Sequence, residues 1–429
     1  MLKAFVNAFK IPDLRKKILF TIGIIAVFRL GSHVPVPNID LKALSDLKNN
    51  LGSQGALQFI DLFSGGALTR FAVFSLGIMP YITSSIIMQL LTVVIPKLEQ
   101  WQKQGEIGIK KITQWTRYMT VTLAVLQSTG LVFLFHSSQF NAAGAPNIVP
   151  HFTAPRVVFM VFTLTAGTAF IMWLGELITQ RGIGNGMSVI IFVSVISRLP
   201  SEGAAILSQA GAGKFYFLLA LGVGIVLAVV WMEQGQRRIP VQYAKRVVGR
   251  RMLGGQSTYI PLKVNQAGVI PIIFAASVLY FPTLLQNVIH WQPFQNFVNH
   301  DIVNQASIIY MLIYGSLVVF FAYFYTAITF NPLDTADNIR KYGGFIPGIR
   351  PGRPTAEYLS NILNRITLPG SLFLAAIALI PSIFLAIWAI TAFPFGGTTI
   401  LITVGVALET MKQLESQLMM RHYEGFLKA

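Results

Sequence analysis

No charged side chain interrupts the segment Ile308-Ile-Tyr-Met-Leu-Ile-Tyr-Gly-Ser-Leu-Val-Val-Phe-Phe-Ala-Tyr-Phe-Tyr-Thr-Ala-Ile-Thr-Phe330. It is longer than the roughly 20 apolar residues that cross the hydrocarbon core of a bilayer as a helix. The whole chain is 54% hydrophobic and only 11% charged, whereas about 25% of the residues of a soluble domain are charged. The sequence therefore predicts a polytopic membrane protein.

Ten apolar segments are predicted to cross the membrane as helices, because lipid cannot satisfy unpaired backbone groups. They are 18–36, 71–95, 118–136, 157–177, 187–199, 215–232, 269–289, 308–330, 368–390 and 398–411. The fifth and the tenth are short, and each closes a set of five. Because an odd number of spans inverts the second set relative to the first, we predict an all-α fold of two pseudo-symmetric, inverted five-helix halves.

These spans divide the chain into four parts. They are a cytoplasmic interfacial segment 1–17, an N-terminal half 18–200, a C-terminal half 201–411 and a cytoplasmic tail 412–429. Between the first two spans, residues 57–63 are apolar but too few to cross, and Gly65 and Gly66 follow them. This pattern is typical of a re-entrant half-helix that lines a cavity, which we expect over about 57–70.

Basic residues determine the predicted orientation. The chain contains 33 Lys and Arg against 16 Asp and Glu, a formal net charge of +17, and most of the excess lies in loops on the side of the N-terminus. Since loops rich in Lys and Arg stay in the cytoplasm, both termini are predicted to be cytoplasmic.

Two of these basic loops, 233–265 and 331–367, are longer than orientation requires. We interpret them as docking sites for RNA phosphates or for an acidic protein surface. The alternative is that their charges only fix the topology and contact anionic lipid. In the first loop, segments 239–243 and 258–262 read as strands around several glycines, which predicts a protruding basic hairpin.

We find no catalytic, metal or cofactor motif in the sequence. Gly213-Lys214 lacks the flanking residues of a phosphate loop, and the glycine-rich segment 182–186 is interpreted as a tight turn between two spans. The six histidines lack the spacing of metal ligands, and the chain has no cysteine. We therefore expect no enzyme activity and no cofactor.

Ionisable residues are scarce inside the predicted spans. Arg29, Glu176 and Glu409 lie near span ends, where snorkelling to the membrane surface would explain them. Coupled transporters usually keep such a group near mid-membrane, so this scarcity disfavours a proton- or sodium-coupled carrier. An ion-coupled secondary transporter with inverted repeats nevertheless stays open as an alternative, as does a membrane scaffold that conducts nothing.

Six longer motifs occur in order along the chain. They are Phe63-Ser-Gly-Gly-Ala-Leu68, Leu76-Gly-Ile-Met-Pro-Tyr-Ile-Thr83, Gly175-Glu-Leu-Ile-Thr-Gln-Arg-Gly-Ile-Gly-Asn-Gly186, Gln236-Arg-Arg-Ile-Pro-Val-Gln-Tyr-Ala-Lys245, Pro261-Leu-Lys-Val-Asn265 and Phe345-Ile-Pro-Gly-Ile-Arg-Pro-Gly352. Together they resemble the bacterial SecY family, the channel subunits of the Sec protein translocase. The resemblance extends from the first span to Tyr423-Glu-Gly425.

This resemblance implies a ten-helix clamshell in the bacterial cytoplasmic (inner) membrane. Its expected function is that of a passive protein-conducting channel, which passes unfolded preproteins across the membrane and releases hydrophobic segments such as signal sequences into the lipid bilayer. The implied partners are the small subunits SecE and SecG, the SecA ATPase and the translating ribosome.

The resemblance also assigns site residues by motif. The pore constriction would comprise Ile78, Ile82, Met187, Ile191, Ile273 and Ile402. The plug that closes the resting channel would include Phe59, Asp61, Phe63, Gly65, Gly66 and Arg70. A ring of aliphatic side chains suits such a channel, since an apolar constriction blocks ions by dewetting.

Two further groups of residues follow from the same motifs. Thr83, Gln127 and Asn265 would hydrogen-bond across the closed lateral gate, where the second and third spans face the seventh and eighth. Partner docking would use Arg237, Arg238, Lys245, Arg246, Arg250, Arg251, Arg340 and Arg350.

Overall fold

The computed structural model describes most of the chain and is predominantly helical. The described residues are 9, 11–40, 61, 63–136, 149, 152–243, 246–248, 251–253, 257–285, 291–302, 304, 306–388 and 397–427. Each of the ten predicted spans overlaps one long or apolar helix within these ranges, and the chain is an all-α membrane protein with two small β-sheets formed by the two basic loops.

The first half of the chain forms helices α1 to α6. Their bounds are α1 Pro12–Gly31, α2 Met79–Val94, α3 Pro96–Lys103, α4 Glu106–His136, α5 Ala154–Arg181 and α6 Gly186–Ile196. Proline stands in the first turn of α1, α2, α3 and α5, where its missing N–H is not needed and its fixed φ favours helix initiation. The chain bends by 100° between α2 and α3.

The second half forms helices α7 to α13. Their bounds are α7 Leu199–Gln234, α8 Ile270–Leu285, α9 Gln292–Phe297, α10 Ile308–Thr329, α11 Pro332–Lys341, α12 Arg353–Trp388 and α13 Gly397–Leu427, with a π-helical turn at Val298–Ile302 after α9. Helix α7 is kinked at Gly211, whose φ of 79° is not helical and is accessible to glycine at little steric cost.

Helix contacts repeat between the two halves. In the first half α2 contacts α4, α4 contacts α5, α5 contacts α6, and α1 contacts α6. The corresponding pairs of the second half, α8–α10, α10–α12, α12–α13 and α7–α13, also pack together. The halves meet where α6 packs on α13 and where α2 touches α8. This repeated pattern agrees with the pseudo-symmetry predicted from hydropathy.

Several boundaries differ from the predicted spans. Residues 71–78 form turns, since Phe71 and Gly77 have φ of 43° and 55°, and the second span therefore becomes helical only at Met79. By length and composition, four described helical stretches could each cross a membrane, or five when the bent pair α2–α3 is counted as one span. The four are Ala154–Arg181, Gly211–Gln234, Ile308–Lys341 and Arg353–Phe384.

Glycines allow α5 and α6 to pack at backbone distance. A Cβ atom on Gly186 would lie 1.8 Å from the carbonyl oxygen of Gly175, so only glycine fits. The segment 182–186 between these helices is a tight turn, as predicted: Gly184 has a φ of 87°, and the Asn185 side chain caps α6 by accepting from the Met187 N–H at 3.1 Å.

The basic loop after α7 forms the predicted hairpin. Strands β1 (Gln236–Tyr243) and β4 (Ser257–Lys263) pair antiparallel, with Ile239 opposite Ile260, and the short strands β2 (Arg246–Val248) and β3 (Arg251–Leu253) pair nearer the tip. A fifth strand, β5 (Gly344–Phe345), comes from the second basic loop and adds to the other edge of β1. The sequence did not predict this third partner.

Candidate functional site

The six predicted constriction residues come from four helices. Ile78 immediately precedes α2, and Ile82 lies within it. Met187 and Ile191 are on α6. Ile273 is on α8, and Ile402 is on α13. The five isoleucines are buried, and all belong to the main hydrophobic cluster, against which the half-buried Met187 packs. The structure thus brings side chains from both halves into one apolar region.

A cavity of about 740 Å³ lies next to this region, between α6, α8, α10 and α13. Ile191, Ile273 and Ile402 line it on the apolar side. Charged side chains also line it: Glu233 at the end of α7, Lys263 at the base of the hairpin, and Glu409 and Lys412 within α13. Their convergence could not be predicted from the sequence, because the residues belong to three separate segments with no shared motif.

The described part of the predicted plug is Asp61 and residues 63–70; Phe59 lies outside the described residues. Phe63 is only 1% exposed and packs in the main cluster, whereas Arg70 is exposed and contacts the His33 side chain. Gly65 and Gly66 have φ of 67° and 85°, a left-handed conformation that favours glycine. The Gly-Gly pair therefore turns the chain out of the short helical segment, as the re-entrant interpretation requires.

Asp61 organises the plug internally. Its backbone carbonyl accepts from the Gly66 N–H at 3.0 Å and from the Ser64 hydroxyl at 3.1 Å. Its side-chain Oδ1 accepts from the Thr69 N–H at 3.0 Å. Its Oδ2 lies 2.6 Å from Nη1 of Arg198, in the turn that follows α6.

Two of the three ionisable residues that the sequence assigned to snorkelling have protein partners instead. Arg29 Nη1 donates to the Gly65 carbonyl at 3.1 Å and to the Ser197 hydroxyl at 3.0 Å. Glu176 accepts two hydrogen bonds from the Arg117 guanidinium, at 2.7 and 2.8 Å. Snorkelling was wrong as the explanation for Glu176, because its bidentate ion pair with Arg117 joins α4 to α5 and neutralises both charges locally. For Arg29 it was wrong because the guanidinium donates to protein oxygens.

The predicted gate residues Thr83, Gln127 and Asn265 are all buried, on α2, on α4 and just before α8. Thr83 donates to the Met79 carbonyl of its own helix at 3.0 Å. Asn265 Nδ2 lies 2.5 Å from Glu233 Oε1 and 3.1 Å from the Gly268 carbonyl. The bonds of Thr83 and Asn265 differ from the expected contacts across the seam, because both side chains donate to acceptors within their own half.

The predicted docking residues lie on the two basic loops. Arg237 and Arg238 on β1 are exposed, and so are Arg340 on α11 and Arg350. The Arg238 guanidinium lies 4.8 Å from the centre of the Tyr259 ring, within cation–π range. Arg246 and Arg251 belong to β2 and β3, while Lys245 and Arg250 lie outside the described residues.

The two loops form one folded unit, called here the loop module: β1, β4, β5, α11 and the start of α12. Its core consists of buried apolar side chains from both loops, Ile239, Val241, Leu262, Ile339, Ile346 and Leu359. Asn331 caps α11 by accepting from the Leu333 N–H at 3.0 Å. The chain turns at Gly348 and Gly352, with φ of 83° and 101°, and Arg350 between them is exposed.

Solved structures with a similar fold are translocation channels. One is a protein-conducting channel, with a TM-score of 0.62 and 17% identity over 95% of this chain and 96% of that one. Another is a SecY whose plug domain stabilises the closed channel, with a TM-score of 0.63 and 18% identity over the same shares. At this level of identity the similarity shows the fold alone.

Sequence comparisons agree with the fold. The SecY family model matches residues 72–411. The protein translocase subunit SecY of Streptomyces coelicolor is 55% identical over 440 aligned residues, covering 100% of both chains. That of Mycobacterium tuberculosis H37Rv is 50% identical over 443, again covering 100% of both. The chain belongs to the SecY family.

Proposed function

We propose that this chain is the protein-conducting channel of a bacterial Sec translocase. The observation that carries the proposal is its full-length identity of 55% to a protein translocase subunit SecY. It would pass unfolded preproteins across the cytoplasmic membrane and release hydrophobic segments sideways into lipid. The chain itself would not hydrolyse ATP. The driving force would come from ATP hydrolysis by SecA or from the translating ribosome.

The geometry supports specific roles. Ile78, Ile82, Met187, Ile191, Ile273 and Ile402 would form the constriction, and the charged cavity next to three of them would be the vestibule through which the peptide enters. A ring of flexible, apolar side chains can block ions by dewetting and still close around the side chains of a passing peptide, whatever their size. The plug would cover the ring from the opposite side.

The lateral gate would lie where α2 touches α8, with Thr83 on α2 and Asn265 just before α8. Hydrogen bonds inside membranes contribute only about 0.6–2 kcal/mol each, and the ones described here lie within each half. A signal sequence would therefore separate α2 from α8 without breaking many polar contacts.

The organisation into 1–17, 18–200, 201–411 and 412–429, with both termini in the cytoplasm, remains our proposal. It places the loop module on the cytoplasmic side, where Arg350 and the other exposed arginines would meet SecA or the ribosome. SecE and SecG would complete the complex. The canine Sec61 channel bound to a ribosome has a similar fold, with a TM-score of 0.60.

The test uses vesicles that contain this chain with SecE and SecG. SecA, ATP and an unfolded preprotein are added, and the preprotein that becomes protected from external protease is measured. Protection that requires ATP supports the channel. Absence of protection, while a known translocase is active in parallel, contradicts it; gradient-driven uptake of a small solute by this chain alone would instead identify a transporter.

A further inference from the structure

We propose that Arg198 is the residue that latches the plug, through its ion pair with Asp61, with Arg29 as a second anchor. This inference rests on the proposed channel function and assigns a gating role to residues outside the constriction. Arg198 lies in the turn at the end of α6. In the sequence, 137 positions separate it from Asp61. The pair therefore ties the plug to a helix that carries two constriction residues.

The ion pair is short and largely dehydrated. Arg198 Nη1 and Asp61 Oδ2 are 2.6 Å apart, and the side chains are only 18% and 3% exposed. A buried charge that loses its partner is strongly unfavourable, whereas an intact buried pair contributes little net stability. When the plug moves out, both charges become hydrated, so the pair can release without a large penalty.

Arg29 holds the same segment from another direction. Its guanidinium bridges the Gly65 carbonyl of the plug and the Ser197 hydroxyl next to Arg198. A Cβ atom on Gly65 would lie 3.1 Å from both Arg29 Nη1 and the Ser194 Cα. The plug backbone therefore sits directly against the ends of α1 and α6, and the two arginines reach it at adjacent points.

Asp61 offers a substitution that separates the latch from the internal structure of the plug. Asp61→Asn keeps the side-chain oxygen that accepts from the Thr69 N–H at 3.0 Å, and it keeps the side-chain volume. It removes the negative charge that faces Arg198 and replaces that oxygen by an NH2 group, which cannot accept from the guanidinium. Because Arg198 is more exposed than Asp61, loss of the partner's charge should be tolerated better at Arg198 than at Asp61.

The structure therefore predicts an order of leakiness. Arg198→Gln leaves the buried carboxylate unpaired and should raise the resting conductance of the complex in planar bilayers about ten-fold, equivalent to about 1.4 kcal/mol. Asp61→Asn should raise it less, and the double variant should leak less than Arg198→Gln alone, because no buried charge remains. Arg29→Gln should have a smaller effect, since its plug acceptor is a neutral carbonyl.

The controls distinguish a latch from general damage. Arg156→Gln removes an exposed arginine at the start of α5 and should leave the conductance unchanged, and Arg198→Lys, which keeps the positive charge, should restore most of the seal. If damage to packing were the cause, the two substitutions would add and the double variant would leak most. That result would overturn the latch.

Deletion of residues 63–70 separates the two proposals. If the deletion conducts while Arg198→Gln and Asp61→Asn stay closed, the latch is wrong and the channel stands. If the deletion does not conduct and no preprotein becomes protected, both proposals are wrong. If Arg198→Gln does not fold, the conductance of Asp61→Asn decides, and a wild-type value would overturn the latch.

Discussion

Truncating Leu262 should loosen the loop module without opening the channel. Leu262 is 1% exposed and packs between side chains of both basic loops. Replacement of a fully buried leucine by alanine costs about 3 kcal/mol, the sum of lost transfer free energy and the cavity left behind. Since about 1.4 kcal/mol corresponds to a factor of ten, local opening of the module should become roughly 100-fold more frequent.

Amide hydrogen exchange measures this opening directly. The β1 and β4 amides, including those of the paired Ile239 and Ile260, should exchange faster in Leu262→Ala by about that factor, and motor-dependent export should fall. Resting conductance should stay at the wild-type value, because Leu262 packs in the core of the module and not in the cluster that contains the constriction residues. Leu333→Ala is the matched control, since Leu333 is on α11 of the same module but 59% exposed.

The reasoning would be refuted if both variants exchanged at the wild-type rate. It would also be refuted if Leu262→Ala raised the exchange rate of β1 but not of the β5 and α11 amides, because the loops would then fold independently. Loss of export with unchanged amide exchange would also contradict the prediction. Leu262 would then have to act by direct contact with the motor, although its side chain is only 1% exposed.

Three further substitutions test other parts of the structure. Arg350→Glu should reduce SecA-dependent protection of preprotein several-fold while membrane insertion stays normal; equal loss in Arg365→Glu, also exposed on the second loop, would argue against a specific contact. Gly186→Ala should lower the free energy of unfolding by about 1–3 kcal/mol through overpacking, since the new Cβ would lie 1.8 Å from the Gly175 carbonyl oxygen. Gly224→Ala should leave the free energy of unfolding unchanged, because a Cβ there meets open space. Ile402→Asn should raise resting conductance by wetting the constriction, and an unchanged conductance would remove Ile402 from the ring.

Hydropathy predicted the helices well where the signal is local. The segment 308–330 corresponds to α10, Ile308–Thr329, and the prediction differs by one residue because the chain leaves the helix at Phe330, ahead of Pro332. The hairpin arms were predictable for the same reason, since alternation and flanking glycines are short-range features. Where the chain is apolar without interruption, it must form a helix in the membrane, because lipid offers no hydrogen-bond partners to the backbone.

The rest depends on contacts that no local pattern encodes. Helix α7 begins at Leu199 and not at the predicted residue 215. The prediction missed this part because residues 200–214 are mostly small or polar and give no strong hydropathy signal. Strand β5 has two residues, too few for a periodicity. Asp61 and Arg198 come together only when the plug folds back on α6, and the acceptors of Asn265 and Arg29 are likewise distant in sequence.

The loop module has a mechanical consequence. Strand β1 begins two positions after the last residue of α7, β4 ends at Lys263 and α8 begins at Ile270, and α10 ends at Thr329 just before α11. Short connectors therefore join the module to α7, α8 and α10, and α12 begins within it. A force applied to the module is therefore transmitted to these helices of the second half, whereas α2 belongs to the first half and has no such connection. Work done by a motor on this surface would be converted into relative displacement of the two halves.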